Sequence, residues 1–230
     1  MGTTYIVKQG DYLAKIAQKN GYHNWRTIYN HKDNTSFRQK RPNPNILLAG
    51  DKLILPDKIL KEVSCQTEKR HTFRLKTEKI KLKIVLKDMA GKGISYKKYL
   101  LETSTKTYER TQAEDLFLAR KGIVEETLSL EEDNLKLKVW LDEMESDEQN
   151  NDDQPHFEWE IKLGDLDPLE EISGIKARLN NLGFTCGEVD NNKDEHLTKA
   201  IENFQTWHSI KPSGKLDLPT QKKIAEQHGS

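Results

Sequence analysis

The sequence is short of the residues that build one large core. Hydrophobic residues make up 34% of its 230 positions and aromatics 7%, which favours several small cores. No apolar run approaches the ~18 residues that a membrane span requires. No stretch has the basic, apolar, small-residue order of a secretory leader. The chain is therefore expected to be made in the cytoplasm without a signal peptide, and no membrane partner is expected. Cys65 and Cys186 stand far apart without C-x-x-C spacing, so two free thiols in a reducing compartment are expected.

Motifs that carry chemistry are missing too. His23, His31, His71, His156, His196, His208 and His228 show no H-E-x-x-H or other zinc-ligand spacing. There is no G-x-S-x-G, no catalytic-cysteine context and no glycine-rich phosphate loop. Neither metal nor cofactor is expected. Glycan hydrolysis needs two fixed carboxylates flanking a cleft, and small modules offer none of that depth. An enzyme is not expected.

What the chain does have is charge, unevenly spread. The 37 basic and 37 acidic residues cancel, yet residues 1–61 carry about +7, 62–141 about +4, 142–171 about −12 and 172–230 about +1. A basic N-terminal part suits an anionic polymer or serves as a solubilising surface. Its Lys and Arg are not interleaved with aromatics as a base-stacking platform requires, so no nucleic acid is expected. The acidic run MESDEQNNDDQPH lacks the D-x-[DN]-x-[DN]-G order of a calcium loop and reads as a solvated, mobile hairpin loop before a last strand.

Over residues 3–58, Tyr5-Ile6-Val7 reads as a strand. A turn at Gly10-Asp11 leads to a helix with Leu13, Ile16 and Ala17 at i, i+3, i+4. Asp11 is placed to cap that helix. A second helix lies near Asn24–Asn30, and a polar loop, HKDNTSFRQKRPNPN, leads to a closing strand Lys52-Leu53-Ile54-Leu55. The blocks YIVKQGDYLAKIA, TIYN and NPNILLAGDKLILP resemble a LysM domain. That resemblance implies a βααβ fold and a shallow groove for N-acetylglucosamine-containing glycans. Gly10, Asp11, Tyr12 and Leu13 would form one side of the groove, Asn30, Pro44, Asn45 and Ile46 the other. Structural alternatives stand beside these roles: a helix cap for Asp11, a local turn bond for Asn30, a solvated ring for Tyr12. Tyr12 replaces the usual small hydroxyl residue. The long loop with Lys32, Arg38, Lys40 and Arg41 resembles LysM-like modules of contractile-tail and type VI secretion proteins.

Over residues 64–163 the period changes to two. Phe73 and Leu75 alternate, then Ile80, Leu82, Ile84 and Leu86, then Leu135, Leu137, Val139 and Leu141, then Phe157, Trp159, Ile161 and Leu163. Such alternation predicts half-buried antiparallel strands in a two-sheet sandwich. The stretch LKDMAGKGISYKKYLLETSTKTYERT resembles the opening of a transthyretin-like or carboxypeptidase-regulatory-like, and so Ig-like, sandwich. The expected role is a spacer.

Over residues 167–230 three helices are expected. Ile175, Leu179 and Leu182 mark the first, ended by Gly183. Leu197, Ile201, Phe204 and either Trp207 or His208 mark the second, and a third starts at Asp217 and buries Ile224. Leu179, Leu182, Gly183, Phe184, Val189, Asp190, Ala200, Ile201, Phe204, Gln205, Gly214, Leu216 and Thr220 fit the pattern of the peptidoglycan-binding module often appended to wall hydrolases. The resemblance implies a ligand groove near Asp190, Asn191 and Gln205, with a structural role as the alternative for Asp190 and Gln205. The loop after Val189-Asp190 departs from it, with Asn191-Asn192-Lys193-Asp194-Glu195 where glycines are usual.

The expected fold class is thus multidomain α+β: a small βααβ module, an antiparallel β-sandwich and a three-helix bundle. The expected function is a non-catalytic adaptor for peptidoglycan or a chitin-like glycan. The three-part order resembles proteins of type VI secretion and related contractile injection systems, which implies delivery to the periplasm and contact with spike or baseplate proteins. The competing expectation is a cytoplasmic or baseplate adaptor whose end modules dock proteins.

Overall fold

The computed structural model describes residues 2–58, 62, 64–72, 78–88, 90–142 and 154–229. The chain falls into two compact units, Met1–Lys81 with Thr127–Glu131, and Leu82–Glu126 with Glu132–Ser230.

In the first unit, β1 (Thr3–Ile6) pairs antiparallel with β2 (Lys52–Leu55), with Tyr5 opposite Leu53. Between them lie α1 (Leu13–Lys19), α2 (Trp25–Tyr29), a 3-10 turn (Lys32–Asn34) and α3 (Thr35–Lys40). The segment expected to be a polar loop therefore contains a helix. Its reason is one apolar residue, Phe37, which is buried and packs edge-to-face on Tyr29 at 6.2 Å. Asn34, also buried, donates to Ile28 O and Ile54 O and accepts from Ile54 N–H. It thereby ties the inserted turn to the edge of β2. Val7, Leu13, Ile16, Ala17, Ile28, Leu47 and Leu53 complete the core.

A buried ion pair fixes the last turn before β2. Asp51 accepts from Arg41 Nε at 2.7 Å, Lys40 Nζ at 2.7 Å and Leu48 N–H at 3.2 Å. Burial pushes the Asp51 carboxyl upward, but these bonds outweigh it and hold the group below its ordinary value.

The second unit contains a four-stranded antiparallel sheet ordered β5-β4-β7-β8, from β4 (Tyr96–Glu102), β5 (Thr107–Thr111), β7 (Asn134–Leu141) and β8 (Phe157–Lys162). β3 (Lys79–Val85) and β6 (Ile123–Ser129) form a separate two-stranded sheet. Tyr96 donates its hydroxyl to Ile123 O and Tyr99 to Glu126 Oε1, so β4 faces β6. Leu101, Val124, Leu135, Leu137 and Val139 are buried, as period-two patterning requires. The short α4 (Leu116–Arg120) returns the chain to β6 through Gly122. A Cβ at Gly122 would meet Leu86 O and Ile94 O at 2.6 Å, and φ is +66° there, so only glycine fits.

Two expectations change. Phe157 and Trp159 align with buried Val139 and Leu137, yet they are 44% and 40% exposed. Trp140, which alternates with Leu137, Val139 and Leu141 and so belongs to the other face, is nonetheless buried beneath Lys98. Phe73, Leu75 and residues 144–153 of the acidic run lie outside the described residues.

The helical end consists of α5 (Ile172–Asn181), α6 (Glu195–Trp207) and α7 (Leu218–His228). Asp194 and Asp217 cap α6 and α7, accepting from Leu197 and Thr220 N–H. Ile175, Leu179, Leu197, Ile201, Phe204 and Ile224 form the shared core.

Candidate functional site

Each end offers a candidate site, and the sequence-derived residues fare differently in the two. At the N-terminal end, Gly10 sits at φ +77°. Asp11 does not cap α1. Its carboxylate instead accepts from the Tyr5 hydroxyl at 2.8 Å and from Lys8 N–H at 2.9 Å, stapling the turn to β1. Burial, then the bond to Asp11, pushes the Tyr5 hydroxyl up to about 12. Tyr12 is buried, not solvated, and donates to Leu130 O at 2.9 Å, within the same compact unit. Leu13 belongs to the core.

On the opposite side of that expected groove, Asn30 is exposed and ends α2 with its backbone N–H on Arg26 O. Pro44 is half-buried and Asn45 exposed, with Asn45 N–H bonded to Asn43 Oδ1. Ile46 is buried. Solvent thus reaches Gly10, Asn30, Pro44 and Asn45, while Asp11, Tyr12, Leu13 and Ile46 are buried.

At the C-terminal end, Gln205 is fully buried. It donates to Lys215 O and Thr220 Oγ1 and accepts from Ser213 and Gly214 N–H, so it clamps the α6–α7 connection. Asp190 accepts from Lys176 Nζ at 2.6 Å, and Asp194 accepts from the same ammonium at 2.7 Å. Burial of Lys176 pushes its ammonium down, but the carboxylates outweigh this and hold it above its ordinary value. Hydrogen bonds from Lys176 hold both aspartates below theirs. Asn191 Oδ1 accepts from Ser173 N–H in the open first turn of α5. All three of these residues therefore anchor loops to helices.

An open groove of about 770 Å³ lies elsewhere on the helical end, lined by Gly183, Phe184, Thr185, Asn203, Thr206 and Trp207. Gly183 at φ +86° turns the chain sharply off α5, which sets Phe184 as the floor, edge-on to Phe204 at 5.2 Å. Asn203, Thr206 and Trp207 fall at i, i+3 and i+4 and so share one face of α6. Trp207 is 52% exposed. His208 takes the inward place instead, its ring 4.4 Å from Phe204. Helix phase resolves the Trp207-or-His208 ambiguity: Leu197, Ile201 and Phe204 point inward, and the next turn of that stripe is 208. An exposed indole beside amide and hydroxyl groups suits the apolar face of a sugar ring and its acetamido group.

Residues 169–224 match the family model described as "Putative peptidoglycan binding domain". No curated protein and no solved structure matches the chain. The family match supports a peptidoglycan-binding module at the C-terminal end, and the Trp207 groove lies inside it. Among the described residues, no group of three or more His, Cys, Asp or Glu is arranged to hold a metal ion. Nor is any helix there long and apolar enough to cross a membrane. Cys65 is exposed and Cys186 buried, both as free thiols.

Proposed function

We propose that this chain is a non-catalytic adaptor that grips peptidoglycan, or a chitin-like glycan, through the Trp207 groove. The observation that carries this reading is the exposed Trp207 beside Asn203 and Thr206, over a Phe184 floor, inside the matched segment. Likeness of residues 3–58 to LysM, together with the long basic insertion before Pro44, supports an accessory role in a type VI secretion or related contractile injection system. Delivery to the periplasm and contact with spike or baseplate proteins belong to that role.

A second reading applies to the N-terminal module, and Tyr12 favours it. With its ring buried and its hydroxyl on Leu130 O, this side of the expected glycan groove is occupied from within the chain. The module then docks protein rather than sugar.

Co-sedimentation with purified sacculi tests both readings. Wild-type protein at micromolar concentration pellets with sacculi and is released by chitin oligomers, while sacculus turbidity stays constant for hours. Trp207→Ala abolishes pelleting, and Asn45→Ala leaves it intact if the N-terminal module serves docking. Failure of the wild-type protein to pellet at any pH or salt would sink the glycan reading.

A further inference from the structure

We propose that β8 is an interface between two copies of this chain, paired edge to edge and antiparallel about Glu160. β8 ends its sheet, hydrogen-bonded to β7 alone among the described strands. Leu163 N–H donates to Asp133 O at 2.8 Å, in the same register that sets Ile161 opposite Leu135 and Trp159 opposite Leu137. Antiparallel ladders alternate, so Ile161 and Trp159 direct their backbone groups to β7. Glu158, Glu160 and Lys162 then direct theirs outward, and no backbone bond joins these three to another described segment.

The same alternation sorts the side chains. Phe157 and Trp159 stack at 5.4 Å with their rings 15° apart, exposed on the core-side face. Glu158, Glu160 and Lys162 line the other face, where Lys136 meets Glu158 at 2.6 Å.

Two copies placed with Glu160 opposite Glu160 satisfy both patterns. The outward-bonding residues 158, 160 and 162 face 162, 160 and 158, so each Glu158 meets a Lys162. On the core-side face Trp159 meets Ile161 and Phe157 meets Leu163, which continues the apolar stripe into the second copy. The single like pair, Glu160 with itself, has Lys136 as its neighbour on β7 in each copy. Shifting the centre to Trp159 would set Glu158 against Glu160 twice, which disfavours that register. Edge charges usually repel a foreign strand; here they match this strand's own reverse, which is why the occupant is a second copy. A six-residue strand pair buries less than a standard interface, so dissociation falls on the order of 10–100 µM.

The test runs in the full chain with Cys65→Ser, since Cys65 is exposed and Cys186 buried. Glu160→Cys would set two thiols directly opposite, with Cα atoms about 5.5 Å apart, within disulfide reach. Mild oxidation is expected to cross-link it at least ~10-fold faster than Glu158→Cys, whose own copies lie several residues out of register. Sedimentation equilibrium of the parent should show mass rising toward a dimer up to about 200 µM, and Lys162→Glu should weaken that association roughly 10-fold or more by creating two Glu–Glu pairs. A parent that stays monomeric at the top concentration overturns the proposal. So does equal cross-linking at positions 158 and 160, which would mean contact without this register. Neither readout involves glycan, so the groove reading stands or falls separately.

Discussion

A glycan groove is expected at each end of this chain, and only the C-terminal end matches a peptidoglycan-binding family model; the two ends use their expected site residues differently. At the N-terminal end, Asp11, Tyr12, Leu13 and Ile46 are buried, and the Tyr12 hydroxyl is bonded to Leu130 O. At the C-terminal end, Asp190, Asn191 and Gln205 are also structural. There, however, an adjacent helix face carries Asn203, Thr206 and Trp207 into solvent beside a groove. Resemblance is carried mostly by residues that make the fold, because turns and caps constrain sequence most tightly. A ligand surface is a separate question, decided by which side chains are left over.

Substitutions can break or sharpen this contrast. The largest effect is expected from Asp51→Ala, which removes the carboxylate that buried Arg41 bonds and costs about 3–5 kcal/mol. Thermal unfolding should show it, and sacculus binding of the still-folded fraction should persist if the C-terminal groove does the gripping. Stability below neutral pH follows the same group. Its folded-state value is depressed, so its contribution is present above the unfolded carboxylate value and is lost as pH falls through the folded one.

Gln205→Ala comes next, at about 1–3 kcal/mol, because it empties a fully buried position and strands the buried Thr220 hydroxyl and the part-buried N–H groups of Ser213 and Gly214. Denaturant melts check it. A melt unchanged within error would return Gln205 to the list of ligand contacts. Trp207→Ala should shift stability by less than about 1 kcal/mol while weakening sacculus binding at least ~10-fold. The reverse pattern would make the groove a packing feature. Tyr12→Phe removes one buried hydrogen bond and should cost about 1 kcal/mol, with no loss of sacculus binding.

The smallest effect concerns pH and His228. Burial, then the nearby Arg178 and Lys87 charges, pushes its imidazole from 6.5 down to about 4. The neutral ring accepts from the Asn181 amide at 3.0 Å. Because the folded state disfavours the proton, stability is full above 6.5 and declines as pH falls toward 4. A pH series of melts on His228→Gln should be flatter over that window.

Much of the fold was legible because its signals are local. Period-two runs gave β3, β7 and β8, the apolar spacing of Leu197, Ile201 and Phe204 gave α6, and Asp217 gave the start of α7. The helix α3 was missed because its segment is polar apart from Phe37, and a single apolar residue carries no period. Trp159 was misread for the opposite reason. Its alternation is regular, but whether anything covers that face depends on how far the facing sheet extends.

The sequence by itself determined the first two helices, strands β3, β7 and β8, the thiol state and a peptidoglycan-binding pattern over the last helices, since turns, caps and apolar spacing act within a few residues of one another. Tertiary structure alone decided that Tyr12 turns to Leu130 and that Gln205 is a clamp. Those outcomes depend on groups distant in the chain competing for the same space and the same hydrogen bonds, and no local pattern records which of them prevails.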